Sequence, residues 1–235
     1  MSTQEELTLN FIAQNTESLI LRNCDLSKVT QSTLPTDLPS VMTYLELDSC
    51  DFSGLQTLAP ITSKLSALQK IKADNCDFSS VKYVTDTFTS NKGVKTASFT
   101  NCNFKSVTSL ENLMPSQTLT ELDLSGSKFE SMTALASVVS GANPSLKTLR
   151  LSNAKFPKVN YVHGLVQSNN SIVDFLADGV YLPNLQTMRI PFNSSTSLTR
   201  IDLTGIECSS LSLVSTVYNN CKSLKDLNSL FDILT

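Results

Sequence analysis

The sequence predicts an α/β solenoid: a curved parallel sheet on the concave face, short helices and turns on the convex face, about eight units in all. Three observations predict it. Apolar residues return in phase at Leu19, Leu45, Ile71, Ala97, Leu122, Leu149, Phe175, Ile201 and Leu227; one step of 25 residues and one of 27 cancel among steps of 26. A second column two residues on keeps the same phase through Leu21, Leu47, Ala73, Phe99, Leu124, Leu151, Ala177 and Leu203. A third, seven residues after the first, holds Leu26, Phe52, Phe78, Phe104, Phe129, Phe156, Leu182 and Cys208.

Each element follows from the unit L-x-L-x-x-(C/small)-x-F-x-x-V and its roughly fifteen further residues. Positions one and three alternate, as a short strand with one buried face does. Successive strands then stack in parallel about 4.8 Å apart. Position eight turns an aromatic ring inward, where burial contributes about 1.5–3 kcal/mol. The crossover follows. Residues 133–146 place Leu135, Val138 and Val139 at helical spacing with Gly141 near the stop. Ser80, Ser106, Ser131 and Ser210 stand where a helix N-cap is needed. Pro35, Pro39, Pro60 and Pro191 restrict other crossovers to short helices or turns, since an interior proline costs about 3 kcal/mol.

The units start near 19, 45, 71, 97, 122, 149, 175 and 201, so the repeats run over 18–226. Residues 1–17 read as an N-terminal half-unit or cap. Residues 227–235 read as a cap helix or truncated unit, because Leu227, Leu230, Phe231 and Leu234 suit one helical face. Both ends fall inside a unit, which suits either caps or a piece of a longer array.

Composition narrows the function classes. Apolar residues are 40% of the 235, enough for a core and against wholesale disorder. A net charge of -3 gives no general pull toward nucleic acid or anionic membrane. No apolar run approaches the roughly 20 residues that span a bilayer, and the first residues lack the pattern of a secretory signal.

Cysteines recur at position six as Cys24, Cys50, Cys76 and Cys102, followed in the column by Ser127, Ala154, Val180 and Ile206. That succession reads as a slot for small buried side chains. Zinc needs closely paired ligands such as C-x₂-C, which are missing. Cys221, near a crossover end, is expected to be the most exposed thiol. The single histidine, His163, is expected to face solvent on a crossover, and no nucleophile or phosphate-loop motif accompanies it. No cofactor or metal is expected, and the chain reads as no enzyme. Asp48, Asp74 and Asp178 share position four, but Thr100, Ser125 and Ser152 interrupt that column.

The exposed strand positions are the expected binding surface for a protein partner. Arg22, Tyr44, Glu46, Lys72, Arg150, Leu176, Asp178 and Arg200 are its candidate residues. Tyr and Arg are favoured at binding hot spots. Glu46 with Lys72, and Asp123 with Arg150, are expected to be cross-strand charge pairs.

The unit resembles a leucine-rich repeat over almost the whole chain. Two subfamilies are similar. The stretch LTRIDLTGIECSSLSLVSTVYNNCKSL (198–224) and the phrase ANPSLKTLRLSNAKF (142–156) resemble units of the CARMIL family, cytoplasmic regulators of actin capping protein. The Cys after L-x-L-x-x also resembles cysteine-containing repeats of the F-box substrate-receptor kind, though their I-T-D phrase is missing. The CARMIL resemblance implies a cytoplasmic repeat scaffold in actin-cytoskeleton regulation. A surface or secreted adhesin is the alternative, with sequons at Asn169 and Asn193.

Overall fold

The computed structural model describes residues 17–27, 41–53, 62–63, 65–81, 91, 93–107, 110, 118–132, 135, 144–163, 165–167, 170–189, 191–215 and 218–228. One nine-stranded parallel sheet organises them. Its strands are Ser18–Arg22, Tyr44–Asp48, Lys70–Asp74, Thr96–Thr100, Glu121–Asp123, Thr148–Arg150, Asp174–Leu176, Arg200–Asp202 and Asp226–Asn228. Each is a rung that pairs with the next rung of the sheet, as the successive turns of a solenoid require. The register joins Leu19, Leu45, Ile71, Ala97, Leu122, Leu149, Phe175, Ile201 and Leu227 directly, the column that periodicity alone picks out.

The alternation of burial along these strands follows the pleat. In Tyr44–Asp48 the second and fourth residues are buried and the others half-buried. What ends each strand is a backbone device at position five. Asn23, Ser49, Asn75, Asn101, Gly126, Asn153, Gly179 and Gly205 all have positive φ, between 51° and 69°. Asn and Gly tolerate this left-handed turn at little cost. The turn aims the position-five N–H at the next rung: Asn23 N–H donates to Asp48 O at 2.9 Å and Asn101 N–H to Ser125 O at 2.8 Å.

Behind the sheet lies an aromatic column. Phe52, Phe78, Phe104, Phe129 and Phe156 stack ring on ring, with centroids 5.1–5.3 Å apart and planes within 14° of parallel. The rung spacing dictates this distance, since identical side chains one strand apart must lie nearly face to face. Phe99 adds an edge contact to Phe78 and Phe104 at 6.0 Å. After Phe156 the column continues with Leu182, and Phe175 meets Phe192 edge-on at 5.0 Å.

Two expectations need correction. The convex side carries almost no helix among the described residues; helix is confined to single positions, Thr62 and Leu135. In the last rungs it is built from strands instead, Tyr161–His163, Thr187–Arg189 and Leu213–Ser215 in one three-stranded sheet and Val166–Gln167, Phe192–Asn193 and Tyr218–Asn219 in another. The reason is local: 161–163 and 187–189 alternate with period two, turning Val162 and Met188 inward. Ser80, expected to cap a helix, donates instead to Phe52 O at 2.9 Å. Most of the expected helix at 133–146, including Val138 and Val139, lies outside the described residues. The unit count also differs. Nine strands stand where about eight units were expected, because Asp226–Asn228 pairs with Arg200–Asp202; residues 229–235 lie outside the described residues, as do 1–16.

Candidate functional site

Positions zero, two and four of each rung point away from the core, so the concave face is a grid of polar side chains on a rigid sheet. Its densest cluster spans the first three rungs. Tyr44 Oη donates to Glu46 Oε2 at 2.6 Å. Glu46 Oε1 also receives Arg22 Nη2 at 3.2 Å and Lys72 Nζ at 3.7 Å. Lys70 Nζ lies over the Tyr44 ring, 5.7 Å from its centroid, within cation–π range. The Tyr44 hydrogen bond, then Lys72 and Arg22, hold the Glu46 carboxyl below its usual range. Burial and that same bond push the Tyr44 hydroxyl up to about 12. At neutral pH the cluster is therefore a fixed carboxylate framed by two cations and a protonated phenol.

A second cluster lies on the last rungs. Arg200 reaches Asp202 Oδ2 at 3.4 Å through Nη2 and Asp226 Oδ2 at 3.5 Å through Nε. Between the two clusters, Arg150 Nε pairs with Glu121 Oε1 at 3.3 Å. This differs from the expected Asp123–Arg150 pair. Asp123 is the direct register partner of Arg150, but its Oδ1 accepts the Ser125 N–H at 2.9 Å and the guanidinium takes the diagonal carboxylate.

Of the expected site residues, Arg22, Tyr44, Glu46 and Lys72 are thus brought together, while Arg150 and Arg200 stand apart. Asp178 accepts the Ser152 hydroxyl and so braces the neighbouring rung. Asp74 does the same more fully, accepting Thr100 Oγ1 at 2.7 Å and Asn101 Nδ2 at 3.0 Å. Leu176 departs from its expected exposure; it is 7% exposed. Lys70, Glu121 and Asp226 were missed. The signal was available, because extending the period of two back by one step puts column zero on the same face as Glu46 and Lys72.

The thiol column is structural. Cys50, Cys76 and Cys102 are buried, and each Sγ donates to the carbonyl two residues before it, at 3.5, 3.3 and 3.2 Å. Ser127 follows in the column but reaches across to the preceding rung, its Oγ donating to Phe99 O at 2.7 Å while accepting the Cys102 N–H. A hydrogen bond with its neighbour Cys102, which favours the protonated form, leads the effects that push the Cys76 thiol up to about 12. Such thiols are poor nucleophiles. The expectation for Cys221 is corrected: its crossover end packs against the core and it is buried, whereas Cys24 alone among the six is half-buried. A maleimide is therefore expected to modify Cys24 before any other cysteine of the native chain. Faster reaction at Cys221 would contradict the packing of the last rungs.

His163 is exposed on the convex side, stacked on Tyr161 at 6.1 Å, with Nδ1 3.1 Å from Arg189 O. Among the described residues no group of three or more His, Cys, Asp or Glu side chains is arranged to hold a metal. No described helix is long and apolar enough to cross a membrane.

No family model and no curated protein matches the chain. Among solved structures it is similar to the leucine-rich repeat domain of the type III effector XopL, at 13% identity and a TM-score of 0.49, covering 95% of this chain and 80% of that one. The fold assignment rests on the chain's own strand register and not on that likeness.

Proposed function

We propose that the chain is a non-enzymatic scaffold that presents its concave sheet to a protein partner. The Arg22, Tyr44, Glu46, Lys70 and Lys72 cluster carries this reading. Its side chains are held by one another on adjacent strands, so little conformational freedom remains to be lost on binding. An aromatic ring and an arginine sit within it, the residue types that dominate binding energy. Lys72→Glu with Arg150→Glu is expected to weaken partner binding at least about tenfold without unfolding the chain. A photo-crosslinker placed at Ser98, mid-face, then measures the loss in the native host. Unchanged crosslinking in the doubly reversed chain would move the site off the concave face.

The finer reading is a cytoplasmic role in actin-cytoskeleton regulation, supported by the CARMIL-like phrasing of 198–224 and 142–156. Co-purification of actin capping protein with the full-length gene product tests it. The alternative is a surface or secreted adhesin, which glycan occupancy at Asn169 or Asn193 would favour. Substrate recognition of the F-box kind is a second alternative, supported by the Cys that follows each early strand.

A further inference from the structure

One flank of the solenoid carries a charge pattern that the concave face does not explain. Position seven, just past each turn, forms a continuous ladder of parallel bridges. Asp51 bridges to Asp77, Asp77 to Asn103, Asn103 pairs with Lys128, and Lys128 bridges to Lys155. Along this stretch the charges are minus, minus, zero, plus, plus, one per rung. Rungs stand about 4.8 Å apart, so the row is about 19 Å long. The ladder continues to Asp25 beyond Asp51 and to Tyr181 and then Glu207 beyond Lys155, so the self-complementary stretch runs from Asp51 to Lys155.

Asp51, Asp77, Lys128 and Lys155 are exposed, and none has an oppositely charged partner within 4.0 Å among the described residues. Each of these aspartates commits one carboxylate oxygen to its own turn, Asp51 Oδ1 to the Ser53 N–H and Asp77 Oδ1 to the Ser79 N–H, both at 2.8 Å. These bonds fix where the acidic groups stand. The nearby Glu130 pairs with Lys158 at 2.9 Å, and Lys105 and Lys128 also help hold its carboxyl below its usual range.

The row is unfavourable within one copy, because like charges lie opposite each other on neighbouring strands. It is also self-complementary. A twofold axis through Asn103 sets Asp77 against Lys128 of a second copy and Asp51 against its Lys155, and makes both contacts twice. The same axis sets the Asp25 carboxylate against the Tyr181 phenol. A parallel arrangement in register would oppose like charges instead. We infer that this flank is a docking surface for a second copy of the same chain, related by a twofold axis at Asn103. Both ends of the row are used in one contact, as an isologous interface requires. A row this narrow falls in the small, transient class of interfaces, below about 1,200 Å². The dimer is therefore weak and held largely by charge. It leaves the concave face open, so its success or failure is independent of the scaffold reading.

Sedimentation equilibrium of the full chain tests it at about 20 mM and about 500 mM NaCl, where screening lengths differ several-fold. A monomer–dimer equilibrium is expected, weakened at least about tenfold by the higher salt. Asp51→Lys alone and Lys155→Asp alone are each expected to be monomeric, because each opposes like charges across the axis twice. Mixing the two variants restores the dimer, since every contact then pairs opposite charges. Circular dichroism confirms that both variants fold. A wild-type chain that stays monomeric at low salt overturns the inference, as does a dimer indifferent to either variant. Failure of the mixture to dimerise overturns the twofold pairing. Species that keep growing with concentration would mean an open head-to-tail chain and overturn the closed contact.

Discussion

Phe104→Ala is expected to destabilise the chain by about 3–5 kcal/mol, the cost of emptying a fully buried aromatic site. Phe104 is 0% exposed and lies mid-column, stacked on Phe78 at 5.1 Å and on Phe129 at 5.2 Å, with Phe99 against its edge. Removing it deletes three ring contacts and leaves a space that the sheet cannot close, because the strands are fixed at hydrogen-bonding distance. Phe104→Leu retains most of the volume and is expected to cost less than half as much. Urea denaturation of the two variants measures the difference. A loss below about 1 kcal/mol for the alanine variant would mean that position eight is not core.

Gly126→Ala is the second large effect, expected at about 2–3 kcal/mol. Gly126 has φ of +69°, which alone penalises any side chain. A Cβ there would also fall far inside contact distance of Asn101 Oδ1. Asn101 would have to swing away and give up its bond from Nδ2 to Asp74 Oδ1. A double-mutant cycle separates the two causes. In an Asn101→Gly background the steric part vanishes, so Gly126→Ala should cost only the backbone part, about 1–2 kcal/mol. Equal costs in both backgrounds would show that the asparagine side chain does not limit the site.

Legibility in the sequence follows from which interactions repeat. The strand register, the phenylalanine column and the thiol slot recur from unit to unit, so periodicity alone exposes them. Among the described residues the convex side repeats only in the last rungs, where Tyr161–His163, Thr187–Arg189 and Leu213–Ser215 pair, while the crossover sequences differ in their prolines and lengths. There the choice between helix and strand depends on which neighbouring crossover is available to pair, a tertiary fact. The concave cluster was half legible. Glu46 and Lys72 share a column and were expected to meet, but the diagonal choice of Glu121 by Arg150 depends on where Asp123 places its hydrogen bonds. Leu176 shows the limit of a column rule, since a residue facing outward along the strand can still be covered by its neighbours. Cys221 failed for the same reason: its place in the chain said nothing about what packs over it.

The left-handed residue at position five acts as a reset mark in a copying process. One unit has 25 residues and the next 27, yet Asn101, Gly126 and Asn153 all take the same turn and hand the chain on in phase. An error of length made in one crossover is therefore absorbed before the next strand begins. A chain with such a mark in each unit can gain or lose whole units without scrambling those that remain, and lengthening by duplication disturbs only the seam.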